Sequence, residues 1–471
     1  MHKGLVVGGM LLAVGACKAP QTTIRDENRG VPGKYNYTSD TTNTARVKWQ
    51  DFFPDQNLRN LIDTALLNNQ ELNITLQEIA ISQNEVLARQ GEYRPFVGVR
   101  GGAGVDKVGR YTNIGALEKN INIAPDRETP EPLPDFLISA FATWEVDIWH
   151  KLRNAKQAAV NRYLASVEGR NFMVTNLIAE IATSYYELLS LDSQLAIVRQ
   201  NIEVQNNVLS IIRQEKEAAK VTELAVRRFE AQVLNTQSIQ FDIQQRIIET
   251  ENRINFLVGR YPQPVARNVA AFSGTALPTV ATGLPSQLLA NRPDIRQAEL
   301  NLVAAKLDVK SAQANFYPSL RLSAALGLNA FTPGYLFNPA SMLSSLAGDL
   351  VGPIVNKNGI RATYNTATAK QLQAVYQYER TVLNAFTEVT NQLSRIDNLG
   401  KSYERKEKEV QALTQSISIS NSLFRSARAD YMEVLLTQRD AQESRLQLVE
   451  TRMQQLAATV AVYRALGGGW N

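Results

Sequence analysis

The chain has 471 residues, with 50 lysines and arginines against 45 aspartates and glutamates, so its formal net charge is only +5. The basic residues form no cluster, which argues against a nucleic-acid partner. Only two histidines and one cysteine are present, and this leaves little for a metal site or for Cys/His nucleophilic catalysis. We therefore expect no metal, no cofactor and no enzymatic activity.

The first residues have the features of a lipoprotein signal peptide. His2 and Lys3 precede an apolar run at 4–16 that is shorter than the roughly 20 residues needed to span a bilayer. The run closes in Val-Gly-Ala-Cys, which resembles a lipobox, the motif whose cysteine, here Cys17, is lipidated and becomes the mature N-terminus. The alternative is an ordinary signal peptide with an incidental thiol. Lys18, in place of aspartate, favours sorting to the outer membrane.

Residues 17–47 are polar and are predicted to form an extended tether between the lipid and the body of the protein. Because the chain has no second cysteine, a disulfide is excluded. A first structural repeat is predicted at 48–259, and it opens with a pair of helices that ends near Gly91.

Two strands of the first repeat are predicted at about 96–106 and 137–148. Their alternation of apolar and polar residues over about ten positions suits a tilted transmembrane strand. Residues 107–135 between them contain four prolines, so we expect no regular structure there. We expect this loop to face outward and to cover the pore.

From about Lys151 to Ala219 the apolar spacing is helical, and heptads recur without a proline. A helix of this length would extend about 100 Å, so it must pack against other long helices. The chain turns back near 219–223 into a second helix that ends near Gly259. Residues 260–285, rich in proline and glycine, are predicted to link two repeats.

The same order of elements recurs at 286–467. Pro318 follows Pro95 by 223 residues, and Val382 follows Val174 by 208. The difference between these separations indicates about fifteen extra residues between the strands of the first copy. The second copy is predicted to have strands at about 319–329 and 342–355 and a helical hairpin that turns near 427–431.

Four amphipathic strands cannot form a closed barrel within one chain. An open sheet edge in hydrocarbon leaves backbone groups unpaired, at several kcal/mol each, and the smallest common barrels have about 8 strands. Several chains must therefore contribute strands to one barrel, with their long helices packed below it. The predicted fold class is a mixed α/β membrane protein with an internal duplication.

Several segments carry a resemblance to a known family. They are the closing helix and the stretches WQDFFPDQNLRNLIDTALLNNQELN (49–73), WEVDIWHKLR (144–153) and RPDIRQAELNLVAAKLDVKSAQANFYPSL (292–320). These look like the TolC-like outer-membrane efflux proteins, specifically the lipidated branch that serves RND-type tripartite drug pumps. The resemblance covers about 48–466.

The resemblance implies a homotrimer in the cell outer membrane. Its twelve strands, four per chain, would form one transmembrane β-barrel continuous with a long periplasmic α-helical barrel. A periplasmic adaptor (membrane fusion) protein and an inner-membrane RND-type pump would engage the lower end, and small molecules would pass through without chemistry.

The resemblance also places the functional residues at the tips of the two helical hairpins. Residues matching the adaptor-docking positions are Ala219, Val221, Thr222, Glu223, Leu224, Ala427, Ala429, Tyr431, Met432 and Val434. Glu433 matches a mouth-lining aspartate, and Asp430 lies one turn away, so three copies would form a ring of negative charge. The alternative is solvated charge at a helix turn. Alanine replaces the usual glycine at Ala219 and Ala427, and Ala225 replaces a common aspartate.

Two tryptophans, Trp144 and Trp149, are predicted at the membrane interface, with core packing at the strand-to-helix junction as the alternative. The run Asn291-Arg292-Pro293-Asp294 is interpreted as a helix start rather than a ligand site. Two other classes of protein compete with an efflux duct. They are a closed trimeric coiled-coil structural or adhesive lipoprotein, and a lipoprotein enzyme, for which no catalytic constellation is found.

Overall fold

A computed structural model of the protein describes residues 24–35, 43–124, 127–269, 272, 274, 281–426 and 428–470. The predicted signal at 1–16, the predicted lipidation site Cys17 and the predicted tip residue Ala427 lie outside the described residues.

Helices and strands are numbered in chain order. The helices are α1 (Trp49–Phe52), α2 (Gln56–Asn68), α3 (Gln70–Tyr93), α4 (Asn113–Asn120), α5 (Lys151–Glu217), α6 (Glu223–Val258), α7 (Leu288–Asn291), α8 (Pro293–Ala314), α9 (Pro333–Leu336), α10 (Asn358–Arg425) and α11 (Tyr431–Ala465). The strands are β1 (Phe96–Asp106), β2 (Asn122–Ala124), β3 (Arg127–Glu128), β4 (Leu133–Val146), β5 (Ser319–Ala330) and β6 (Met342–Val351).

Four strands form one antiparallel sheet in the order β1-β4-β5-β6. The outer pairs, β1 with β4 and β5 with β6, are the strand pairs of the two sequence repeats. The central pair joins the repeats, with Phe136 opposite Ala330 at one end and Val146 opposite Leu320 at the other. The duplicated elements therefore lie side by side in one sheet.

The expectation of no regular structure at 107–135 is wrong. Helix α4 lies within this stretch and begins after Thr112, whose hydroxyl accepts a hydrogen bond from the Gly115 N–H at 3.2 Å. The short strands β2 and β3 pair with each other. The helix and β2 precede the first of the four prolines, at position 125, and the Thr112 cap sets where the helix begins.

The bounds of two predicted strands also differ from the structure. β4 begins at Leu133, four residues early, and includes Pro134. This proline is tolerated because β4 has only β1 as a neighbour there, since its pairing with β5 begins at Phe136.

β4 and β6 both end earlier than predicted. β4 ends at Val146 instead of 148, because the Asp147 carboxylate caps α5 and accepts a hydrogen bond from the Leu152 N–H at 3.0 Å. β6 ends at Val351 instead of 355, two residues before Pro353, which has no N–H to donate.

The chain divides into two compact units, and each takes segments from both repeats. Of the described residues, the sheet unit contains 24–26 and those of Ala80–Leu164 and Leu300–Tyr376, and the helical unit contains those of Glu27–Ile79, Ala165–Glu299 and Gln377–Asn471. Among the described residues, no helix is both long enough and apolar enough to cross a membrane.

The helical unit has an extended apolar core that follows the heptads of α5. Ile181, Leu188 and other buried side chains of α5 pack with residues from α2, α6 and α11. Phe52 stacks on Tyr463 with ring centroids 4.1 Å apart, so the first and last helices of the chain share this core. Heptad spacing thus predicted which face of α5 is buried.

Candidate functional site: the hairpin tips

The turn between α5 and α6 ends α5 in a Schellman motif. The Lys220 N–H donates to the Glu215 carbonyl at 2.9 Å, and the Ala219 N–H donates to the Lys216 carbonyl at 2.9 Å. Ala219 has φ = 54°, in the left-handed region. Glycine is usual there because an L side chain is strained, so the alanine noted in the sequence makes this turn less stable.

The charges of the first tip are paired with one another. Glu223 accepts from Lys216 across the turn at 3.0 Å and from Arg227 along α6 at 2.9 Å. The hydrogen bond and charge of Lys216, followed by the charge of Arg227, hold the pKa of the Glu223 carboxyl below its ordinary value. This carboxylate is exposed, but two cations already balance it.

The two carboxylates of the second tip differ from Glu223. Asp430 occupies the N-cap of α11, and its Oδ1 accepts a hydrogen bond from the Tyr431 N–H at 2.6 Å. The Glu433 N–H donates to the Asp430 carbonyl at 3.1 Å, and both side chains are exposed. Neither carboxylate forms an ion pair with any residue that the structure describes, so both charges remain available to a lumen or a partner.

The two tips pack against each other within the helical unit. Arg228 of α6 places Nη1 2.9 Å from the sulfur of Met432 in α11. An apolar cluster beneath the tips includes Phe229 and Val226 of α6, with Phe424 and Tyr431 packed against it. A cavity of about 240 Å³ lies between these helices.

The predicted docking residues differ in how far their side chains are exposed to solvent. Ala219, Thr222, Glu223 and Leu224 are exposed, whereas Val221, Ala429, Tyr431 and Met432 are half-buried. Val434 is only 2% exposed, so it supports the tip from below and presents no docking surface. Ala225 is fully buried in the apolar cluster, and this burial explains why a carboxylate is absent there.

Both predicted interface tryptophans make polar contacts at the junction of strands and helices. The Trp144 indole N–H donates to the Tyr93 carbonyl at 3.1 Å. The Trp149 indole N–H donates to the Pro318 carbonyl at 2.8 Å, and its ring stacks on Tyr317 at 4.6 Å. Their place at a membrane interface stays a prediction.

Sequence reasoning missed the role of Arg292. The run at 291–294 does contain a helix start, at Pro293, but the Arg292 side chain is buried and ion-paired with Asp294 and Glu388. The signal in the sequence was Asp294 two residues after Arg292, since a buried arginine needs carboxylate partners. Among the described residues, no group of acidic, histidine or cysteine side chains has the arrangement of a metal site.

Comparison with known proteins decides the family. The family model described as "Outer membrane efflux protein" matches residues 61–260 and 284–468. The chain belongs to the outer membrane efflux protein family. This family is one of transport channels, and it places the protein in the outer membrane.

Individual members of the efflux family match over most of their length. The pyoverdine export outer membrane protein OpmQ of Pseudomonas aeruginosa is 27% identical over 474 residues, which cover 99% of this chain and 97% of OpmQ. The solvent efflux pump outer membrane protein SrpC of Pseudomonas putida is 28% identical over 434 residues, covering 91% and 88%. The open-state MtrE outer membrane channel of Neisseria gonorrhoeae has a TM-score of 0.83 at 21% identity, covering 96% and 98%.

These comparisons confirm the predicted fold class, in which each chain of a trimer adds four strands to a twelve-stranded barrel and long helices to a helical barrel. They favour the efflux duct over the closed coiled-coil lipoprotein.

Proposed function

We propose that this efflux protein is the exit duct of a tripartite pump. A periplasmic adaptor and an inner-membrane RND-type pump would deliver small molecules to the hairpin tips, and the trimer would conduct them through the outer membrane. The observation that carries the proposal is the pair of tips, which pack together through Arg228 and Met432. Leu224 is exposed on the first tip, and Asp430 and Glu433 are exposed on the second without an ion pair among the described residues.

The mouth carboxylates would act as a gate. Three copies of Glu433 and Asp430 would place six negative charges around the periplasmic opening. Such a ring attracts cations and holds the opening narrow when it bonds to polar neighbours. Pairing of Glu223 with Lys216 and Arg227 removes the first tip from this ring.

Lipidation of Cys17 would anchor each protomer to the outer membrane. The Gln371 amide donates to the Arg25 carbonyl at 2.8 Å, and Lys306 lies 3.3 Å from Asp26. These contacts fix the part of the tether nearest the lipid on the sheet unit. Arg25 lies eight positions after Cys17, so the lipid would lie within about 27 Å of that contact.

The cargo is proposed to be a small organic molecule such as a drug. OpmQ exports pyoverdine and SrpC belongs to a solvent efflux pump by name, and these cargos differ in chemistry. In the proposed assembly the inner-membrane pump selects the cargo, and the duct conducts what it receives.

Site-specific photocrosslinking in cells tests the docking. A photoreactive residue at Leu224 should capture a periplasmic adaptor, because Leu224 is 56% exposed at the first tip. The matched control is Leu67, another leucine, 77% exposed at the end of α2. Equal capture at both positions, or none at Leu224, would refute docking at the tips.

A further inference from the structure

The four-stranded sheet has all of its charged side chains on one face. The register places Arg100 opposite Ser139, Glu145 opposite Arg321, and Arg321 opposite Asp349. The alternation then assigns to the same face the charged residues Arg100, Asp106, Asp135, Glu145, Arg321 and Asp349. The opposite face has none. In a transmembrane barrel the apolar face contacts lipid, so the charged face lines the lumen.

This lumen face is acidic, with four carboxylates and two arginines in each chain. Arg100 lies on β1, so Arg321 is the sole cation of β4, β5 and β6, strands that the structure describes completely. An acidic lumen repels anions. The passage of an anionic group through the barrel therefore depends on the positions of these few cations.

Arg321 has a carboxylate on each neighbouring strand, Glu145 on β4 and Asp349 on β6. Side chains directly opposite in an antiparallel sheet lie about 5 Å apart at Cβ. Glu145 is ion-paired with Lys151 at 2.9 Å, and among the described residues no side chain forms an ion pair with Arg321. Arg321 and Asp349 are both exposed, so the guanidinium is free to meet a passing anion.

Open space borders this row of charges. A cavity of about 580 Å³ is lined by Glu145 and Lys151 and by Ser319 and Val351, which pair with each other. Ser319 and Val351 are the next residues on the charged face beyond Arg321 and Asp349. Hydrated ions and small organic anions can therefore approach the row.

We propose that Arg321 is the anion-admitting residue of the duct. Three guanidinium groups, one per protomer, form a ring that accepts carboxylate-bearing cargo through paired N–H···O hydrogen bonds and lowers the repulsion of the acidic lumen. The proposal rests on the proposed function as a duct. It assigns a specificity-determining position within the barrel, distinct from the acidic mouth.

The test is the reversal potential of purified trimers in planar bilayers under a potassium chloride gradient, repeated with potassium acetate as a carboxylate probe. Arg321→Gln should lower the ratio of anion to cation permeability at least about threefold, and Arg321→Lys should retain most of it. Asp349→Asn should change the ratio in the opposite direction, which keeps the proposal testable if one variant folds poorly.

Arg100→Gln is the matched control, because it removes the same charge from the same face about 20 Å away along the strands. The proposal predicts a smaller change for this variant than for Arg321→Gln. Equal changes in the permeability ratio for Arg100→Gln and Arg321→Gln would show that only the net charge of the lumen matters, and would overturn the proposed role of Arg321. An unchanged ratio in a conducting Arg321→Gln channel would overturn it too, whereas no conductance in the wild type would refute both the ring and the duct.

Discussion

The carboxylate of Glu388 holds the buried guanidinium of Arg292, with Nη1 2.9 Å from Oε2. Arg464 reaches the other oxygen of Glu388 at 2.6 Å, and Arg292 also donates to the Ala465 carbonyl at 2.7 Å. Burial acts against the charge of Arg292, but its hydrogen bonds to Asp294 and Glu388 raise its pKa. This cluster ties the start of α8 to α10 and to the end of α11.

Replacing Glu388 should therefore destabilise the helical unit. Glu388→Gln leaves a buried arginine with one carboxylate fewer, and we expect a loss of about 3 kcal/mol in the free energy of unfolding. The readout is the midpoint of thermal unfolding in detergent. Glu404→Gln, an exposed position on the same helix, is the control, and equal midpoints for the two variants would contradict this account.

The strained turn at Ala219 predicts a stabilising substitution. Ala219→Gly removes the Cβ from a residue with φ = 54° and should increase stability by about 1 kcal/mol. Ala218→Gly, one residue earlier and without positive φ, should instead decrease it by about 0.5 kcal/mol. Thermal unfolding compares the two, and a destabilised Ala219→Gly protein would show that the turn is not strained.

Close approach of β4 and β5 at Gly327 predicts a defect in barrel assembly. A Cβ on Gly327 would lie 2.4 Å from the Ile138 carbonyl oxygen, whereas one on Gly101 would meet nothing within 4 Å. Gly327→Ala should lower the temperature at which the trimer dissociates on a gel by about 5 °C or more. Gly101→Ala should leave it unchanged, and the same shift in both would refute the steric explanation.

The ion pair at the first tip predicts a dependence of stability on pH. Because the pKa of Glu223 is lowered in the folded protein, its contribution is complete above the unfolded value of about 4.3 and is lost as the pH falls through the folded value. Wild type should unfold at a higher temperature than Glu223→Gln at pH 6, and the difference should shrink as the pH falls below the unfolded value. A difference that persists at low pH would contradict this.

Much of the fold could be predicted because the periodicities are strong. Alternation located the strands, and heptads located the buried face of α5. The ends of β4 could not be predicted, because they depend on contacts with elements distant in the sequence. Pro134 is tolerated only because β5 does not pair with β4 at that position, and β4 ends where the Asp147 carboxylate caps α5.

The sequence could predict that the carboxylates Glu223, Asp430 and Glu433 lie at the turns of the helical hairpins, but not which of them are paired. It assigned Glu223 to the docking positions and Asp430 and Glu433 to the mouth. Only the geometry across the turn shows Glu223 balanced by two cations while the other two carboxylates have no ion pair among the described residues. The burial of Ala225 likewise depends on packing between the hairpins.

Single-channel conductance tests most directly whether the protein is an exit duct with an acidic gate at the second tip. Purified wild type is compared in planar bilayers with Glu433→Ala and Asp430→Ala. We predict a small conductance in wild type that rises in either variant as negative charge leaves the mouth. A large conductance that neither substitution changes would remove the gate, and no conductance in any variant would contradict the duct itself.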